Sequence, residues 1–203
     1  MSSFWQKLIQ SPDWRFVGVN LVLMIQLQFI GERYFRFQSD WVSTLEIWRV
    51  ITGHWVHVGW IHLLMNALGL IICVSIAAPN WSIKRWLVQT LVMGLGISLL
   101  FTLQNPELRW YVGFSGILFG LYFLAAIELY ARDRLIAVLM GSAIVIKVII
   151  EQFTPYDFTS AEIIGAPVIV DAHLYGLLLA IAIALAWSTY TMNHTPRKAS
   201  KEL

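Results

Sequence analysis

The stretch Trp110-Tyr111-Val112-Gly113-Phe114-Ser115-Gly116-Ile117-Leu118-Phe119-Gly120 opens a membrane-spanning apolar run with one hydroxyl set among glycines. Glycine in a helix costs roughly 1 kcal/mol against alanine, so another requirement must favour it here. One such requirement is access: with no Cβ on Gly113 or Gly116, a helix or a substrate backbone can approach the hydroxyl closely. Another is position. The first N–H groups of a helix lack intrahelical partners and lie at the positive end of its dipole. A serine there has donors for a developing oxyanion beside its own nucleophile. The competing reading is helix packing, since Gly116 and Gly120 form a G-x-x-x-G pair.

Composition sets the surroundings. Of 203 residues, 58% are hydrophobic and 13% charged, and the mean hydropathy is +0.68. With its repeated long apolar runs, the chain falls in the membrane class. The single cysteine, Cys73, excludes an internal disulfide. Zinc-type Cys/His spacing and H-E-x-x-H are both missing from the sequence, so a metalloprotease reading lacks ligands. The expected partner is a lipid bilayer, not nucleic acid.

Apolar segments at 15–31, 58–77, 84–104, 114–131, 134–151 and 168–190 each approach the ~20 residues that a bilayer needs. They predict an all-α membrane protein, a six-transmembrane-helix bundle over 14–191. Residues 1–13, with Phe4, Trp5, Leu8 and Ile9 beside Lys7, suit a membrane surface. Residues 192–203 form a basic tail. No small-residue cleavage site follows the first apolar run, so no signal peptide is expected. An even span count puts both termini on one side. That side would hold nine basic residues (Lys7, Arg15, Lys84, Arg85, Arg132, Arg134, Arg197, Lys198 and Lys201), against Arg33, Arg36, Arg49 and Arg109 opposite. The bias predicts N-in, C-in. Lys147 falls inside the fifth span, where it could snorkel or reach Glu151 one turn on.

Polar side chains within apolar spans are expensive, and each invites a functional hypothesis. His62 and Asn66, four apart, share one helix face. Ser115 opens the fourth span, and His173 lies in the second turn of the sixth. Under the predicted orientation all four are counted from an outer end, so they fall in one outer-leaflet layer. Helix-packing residues would have no cause to agree in depth. The chemistry that suits the set is acyl transfer to serine, with His173 as general base. Gly116 and Gly120 on one helix, and Ala172, Gly176 and Ala180 on the other, would permit the close crossing. His62 and Asn66 would then donate to the oxyanion alongside the Ser115 amide. Asp171 precedes His173 by two and so points to a different face. His54 and His57 are read as tying down the first loop.

The sequence resembles the rhomboid intramembrane serine proteases. The resemblance rests on Trp48-Arg49-x-x-Thr52, His62-x-x-x-Asn66, Gly113-x-Ser115-Gly116 and Ala172-His173-x-x-Gly176, in the family's order and on the matching spans. It implies a rhomboid-like bundle and a Ser115–His173 dyad without an acid. It also implies an oxyanion site of His62, Asn66 and the Ser115 backbone, with substrates that are themselves transmembrane proteins. No metal or organic cofactor is implied. The runs Thr52–His57, His62–Asn66 and Asp171–Gly176 resemble the rhombosortase branch, associated with bacterial proteins bearing C-terminal Gly-Gly anchors. That implies a bacterial inner membrane, with the site facing the periplasm.

The sequence departs from the family pattern in three places. Phe119 stands where many rhomboids place a tyrosine against the histidine, which keeps stacking but loses a hydroxyl. Ala180 replaces a second glycine, and the first loop is only about 25 residues. By resemblance, residues 152–167 would cap the site and the fifth span would act as a lateral gate; a plain connection is the alternative. Two other functions compete: a non-proteolytic client-binding relative, and a haem-binding bundle with His62 and His173 as axial ligands.

Overall fold

The computed structural model describes residues 14–77, 81–154 and 158–194. The expected interfacial segment 1–13 lies outside these residues, as do 195–203 of the expected tail. Apolar helices occupy all six expected segments: α1 (Trp14–Ile30), α5 (Trp60–Ile72), α6 (Ile83–Gln104), α7 (Ser115–Leu129), α8 (Arg134–Phe153) and α10 (Asp171–His194). Short helices fill the connections: α2 (Glu32–Phe35), α3 (Trp41–Thr44), α4 (Arg49–Thr52) and α9 (Phe158–Ile164). Two starts carry side-chain caps: Ser82 accepts from the Arg85 amide and Asp133 from the Ile136 amide. A π-turn, Cys73–Ala77, extends α5.

Among the described residues, three helices are long and apolar enough to cross a membrane: α6, α8, and α10 over Asp171–Thr189. The other three apolar helices are shorter. Among them, α7 has 15 residues, about 22 Å against a hydrocarbon core of about 30 Å. A helix that stops short must be enclosed by protein, since lipid cannot satisfy its ends. Its composition agrees. With Gly116, Ile117, Gly120, Leu121, Leu124 and Ala125 all buried, α7 is apolar on every side. It is the central post of the bundle, packed most extensively on α10 and next on α8.

The first loop is pinned to this frame by buried polar bonds. The His54 Nε2 lies 2.9 Å from the Gly94 carbonyl and 3.0 Å from the Ser98 hydroxyl, which itself donates to the Val50 carbonyl. Those acceptors require a proton on Nε2. Gln28 exchanges two 3.0 Å bonds with the His57 backbone, and the Trp55 indole donates to Asn20. One element departs from an all-helical expectation. Strands β1 (Phe37–Gln38) and β2 (Trp110–Tyr111) pair antiparallel, with Phe37 opposite Tyr111 and Gln38 opposite Trp110. Two residues are too few to show an alternating pattern in sequence.

Arg49 fastens the same loop. Its buried guanidinium forks onto Glu46 at 2.7 and 3.1 Å and donates to the Arg33 and Arg36 carbonyls at 3.0 and 3.1 Å. Trp48 donates to the Tyr34 carbonyl, and Thr52 to that of Phe35. The hydrogen bond from Arg49 holds the Glu46 carboxyl below its ordinary range. The contribution is therefore present at neutral pH and is lost as pH falls through that lowered value. Arg49→Ala, which strands two carbonyls and a carboxylate, is expected to destabilise by about 2–3 kcal/mol, lowering Tm by roughly 5–10 °C. Arg49→Lys should recover under half of that loss, because an ammonium cannot reproduce the fork. Thermal unfolding in detergent checks both.

Candidate active site

The turn before α7 is built for one purpose, to place Ser115 as the first helical residue. Gly113 has φ +125°, a conformation that strains any residue with a Cβ. Its amide donates to the Gly53 carbonyl at 3.1 Å, and its own carbonyl accepts from the Tyr111 hydroxyl at 2.7 Å. Tyr111 is itself buried against Phe101 and His54. Phe114 then enters helical geometry, leaving the Ser115 amide among the unpartnered first N–H groups of α7.

The α7–α10 crossing brings the second group. A Cβ on Gly116 would lie 2.7 Å from the Ala172 carbonyl oxygen, and one on Gly120 at the same distance from that of Gly176. Gly176 in turn presses against the Gly116 carbonyl. Backbones this close put His173 in reach of Ser115, with Nε2 to Oγ at 2.8 Å. His173 lies in the first turn of α10, not the second as expected, because that helix starts at Asp171 and not at 168. Phe119 stacks on its imidazole with centroids 4.1 Å apart and planes 5° from parallel.

The other ring nitrogen carries a bond that the sequence did not suggest. His173 Nδ1 lies 2.8 Å from Oε2 of Glu151 on α8, and the Glu151 side chain is 1% exposed. Its second oxygen pairs with Lys147 Nζ at 3.0 Å, an ion pair without hydrogen-bond alignment. Serine, imidazole and carboxylate thus stand in line, a contact that the expectation of a dyad did not include. Both His173 nitrogens are engaged, Nδ1 by Glu151 and Nε2 by Ser115. Asp171 is elsewhere, accepting from Asn105 at 2.7 Å, while Asn105 also accepts from Tyr175.

His62 and Asn66 face the same space from α5. The Cε1–Nε2 edge of His62 stands beside Gly113, where a Cβ would come within 2.9 and 3.1 Å of it. Asn66 is buried and gives one amide proton to the His62 carbonyl at 3.1 Å, with the second N–H still available. Two cavities meet at Ser115. One, of about 450 Å³, runs between α5, α7 and α8 and is lined by Asn66, Phe119, Glu151 and His173 along with aliphatic side chains. The other, of about 340 Å³, is walled by Glu107, Arg109, Trp110 and Pro167. Ser115, His62, Ile164 and Val168 line both.

Tyr111 and Glu151 were missed as site residues. Tyr111 stood inside the quoted stretch but carries no chemical motif. Glu151 was legible only as a local i, i+4 partner of Lys147. The sequence matches known proteins. Residues 44–190 fit the Rhomboid domain. Rhomboid-like protease 5 of Toxoplasma gondii is 38% identical over 76 residues, which is 37% of this chain and 9% of that protein. The matched part is thus under a tenth of that relative's length. The family match covers most of the bundle, including the turn at Ser115 and the α7–α10 crossing. The chain is therefore an integral membrane protein of the rhomboid family, whose members are generally intramembrane serine proteases.

Proposed function

We propose that this chain is an intramembrane serine endopeptidase that cleaves transmembrane proteins near the outer membrane face. The observation that carries the reading is the 2.8 Å approach of Ser115 Oγ to His173 Nε2 at the head of a helix. In the first step Ser115 Oγ attacks the scissile carbonyl while its proton passes to His173 Nε2. The oxyanion forms beside the Ser115 amide, with His62 and the free N–H of Asn66 as further donors. His173 then gives the proton to the leaving amine, and water hydrolyses the acyl-enzyme by the reverse route. The apolar cavity between α5, α7 and α8 suits the membrane-embedded part of a substrate. The smaller one suits its extramembrane part.

The basic residues support six crossings with both termini inside, which turns the site outward. The runs at Thr52–His57 and Asp171–Gly176 support a rhombosortase role: removal of C-terminal Gly-Gly anchors at a bacterial inner membrane, with the site facing the periplasm. Mass spectrometry of secreted and surface proteins tests this, comparing cells carrying wild-type or Ser115→Ala enzyme. Gly-Gly-anchored C-termini should be trimmed only with the wild type, and identical termini in both would remove the rhombosortase role. Cleavage of a reporter with one transmembrane segment, in proteoliposomes, tests the endopeptidase itself.

The turn makes a narrower prediction. Gly113→Ala strains a positive-φ backbone by about 1–3 kcal/mol and pushes a methyl into His62. Labelling of Ser115 by a serine-reactive fluorophosphonate should slow by about 10²-fold, the usual cost of losing one oxyanion donor. Labelling at the wild-type rate would detach His62 from the oxyanion site.

A further inference from the structure

Among the described residues, Glu151 is the strongest unexplained group. It is a buried carboxylate on an apolar helix, where ionisable residues are costly and retained for a reason. The ion pair with Lys147 does not supply that reason. The Lys147 side chain is 43% exposed, and an exposed pair would need no carboxylate turned 99% away from solvent. The carboxylate is turned toward His173, 22 residues on and on another helix.

We propose that Glu151 is the positioning residue of the catalytic base, acting through His173 without touching substrate. This rests on the reading of Ser115 and His173 as nucleophile and base. An ionised carboxylate can only accept, so at 2.8 Å the proton of the bond belongs to His173 Nδ1. The neutral ring then has its lone pair on Nε2, 2.8 Å from Ser115 Oγ, which is the tautomer that can take the serine proton. Phe119 fixes the plane of the ring by stacking. The Glu151 bond fixes its rotation within that plane. When the Ser115 proton moves to Nε2, the imidazolium forms in contact with the carboxylate, in surroundings where charge pairs are strong. The proton then leaves with the amine from Nε2, and Glu151 neither gains nor loses one.

Cleavage of a single-span reporter by full-length protein in proteoliposomes, with kcat and KM resolved, tests the assignment. Glu151→Gln keeps the size but removes the charge, and should lower kcat by about 10⁴ with KM unchanged. Glu151→Asp keeps the charge on an arm one methylene shorter, and should lose only about 10²-fold. A Glu151→Gln enzyme within threefold of wild type, a loss carried in KM, or an Asp variant no faster than Gln each overturns the proposal. Should Glu151→Gln fail to fold, Glu151→Asp decides: kcat down at constant KM supports it, and kcat equal to wild type overturns it. Ser115→Ala in the same assay separates the two readings. If it is inactive, the nucleophile stands whatever Glu151 does. If it cleaves like wild type, both readings fall.

Discussion

Ser115→Ala, His173→Ala and the double variant are expected to lose the same activity, about 10⁵–10⁶-fold in kcat, not the product of two losses. The two side chains act as one unit. Without the hydroxyl there is no proton for Nε2 to accept, and without the imidazole the hydroxyl 2.8 Å away has no base. What survives should be the contribution of the amide at the head of α7 with His62 and Asn66. Oxyanion donors and binding alone typically keep about 10³–10⁴ over water. Fluorophosphonate labelling should disappear in Ser115→Ala and slow severely in His173→Ala. Ser115→Ala should lower Tm little, because Oγ faces a cavity, whereas His173→Ala removes a buried ring and strands the Glu151 carboxylate, so its Tm should fall. Additive losses in the double variant would mean that the residues contribute separately. Wild-type cleavage by Ser115→Ala would end the serine reading altogether.

How far such a site can be read from sequence depends on how local each signal is. The apolar segments were legible because burial in lipid or protein leaves long runs, and α6 begins and α8 ends within two residues of the segments as read. Ser115, His62, Asn66 and His173 stood out because a polar group in an apolar run is costly wherever it sits. The small residues of α7 and α10 followed from helical spacing, and Phe119 from the resemblance to the rhomboid family. Glu151 did not, since its partner is 22 residues away and nothing in the intervening sequence announces the contact. In sequence it showed only as a residue within reach of Lys147, one turn on. Tyr111 was hidden differently. Its hydroxyl holds the Gly113 carbonyl through a turn whose shape depends on a positive φ, which sequence shows only as a glycine. The depth of His173 was misjudged by a turn because apolar residues before Asp171 extended the span on paper, whereas the chain there is still a loop.

Gly176→Val is expected to cost at least about 10³-fold in kcat, although the residue touches neither substrate nor either reacting group. A Cβ on Gly176 would collide with the carbonyl group of Gly116, with its carbon at 2.9 Å. Backbone cannot swing aside as a side chain would, so α7 and α10 must separate. A misplacement of about 1 Å typically costs 10²-fold, and a branched side chain demands more than that. A 1 Å separation also takes the Ser115–His173 contact beyond hydrogen-bonding range. Overpacking should lower stability as well, by about 1–3 kcal/mol. Gly18→Ala is the control: nothing lies within 4 Å of a Cβ there, and alanine favours the helix by roughly 0.5–1 kcal/mol. It should keep full activity with Tm unchanged or raised. The two variants together separate a general intolerance of helix glycines from a specific need for contact at one crossing. If Gly176→Val folds and cleaves at the wild-type rate, the closeness of α7 and α10 is not what brings the base to the serine.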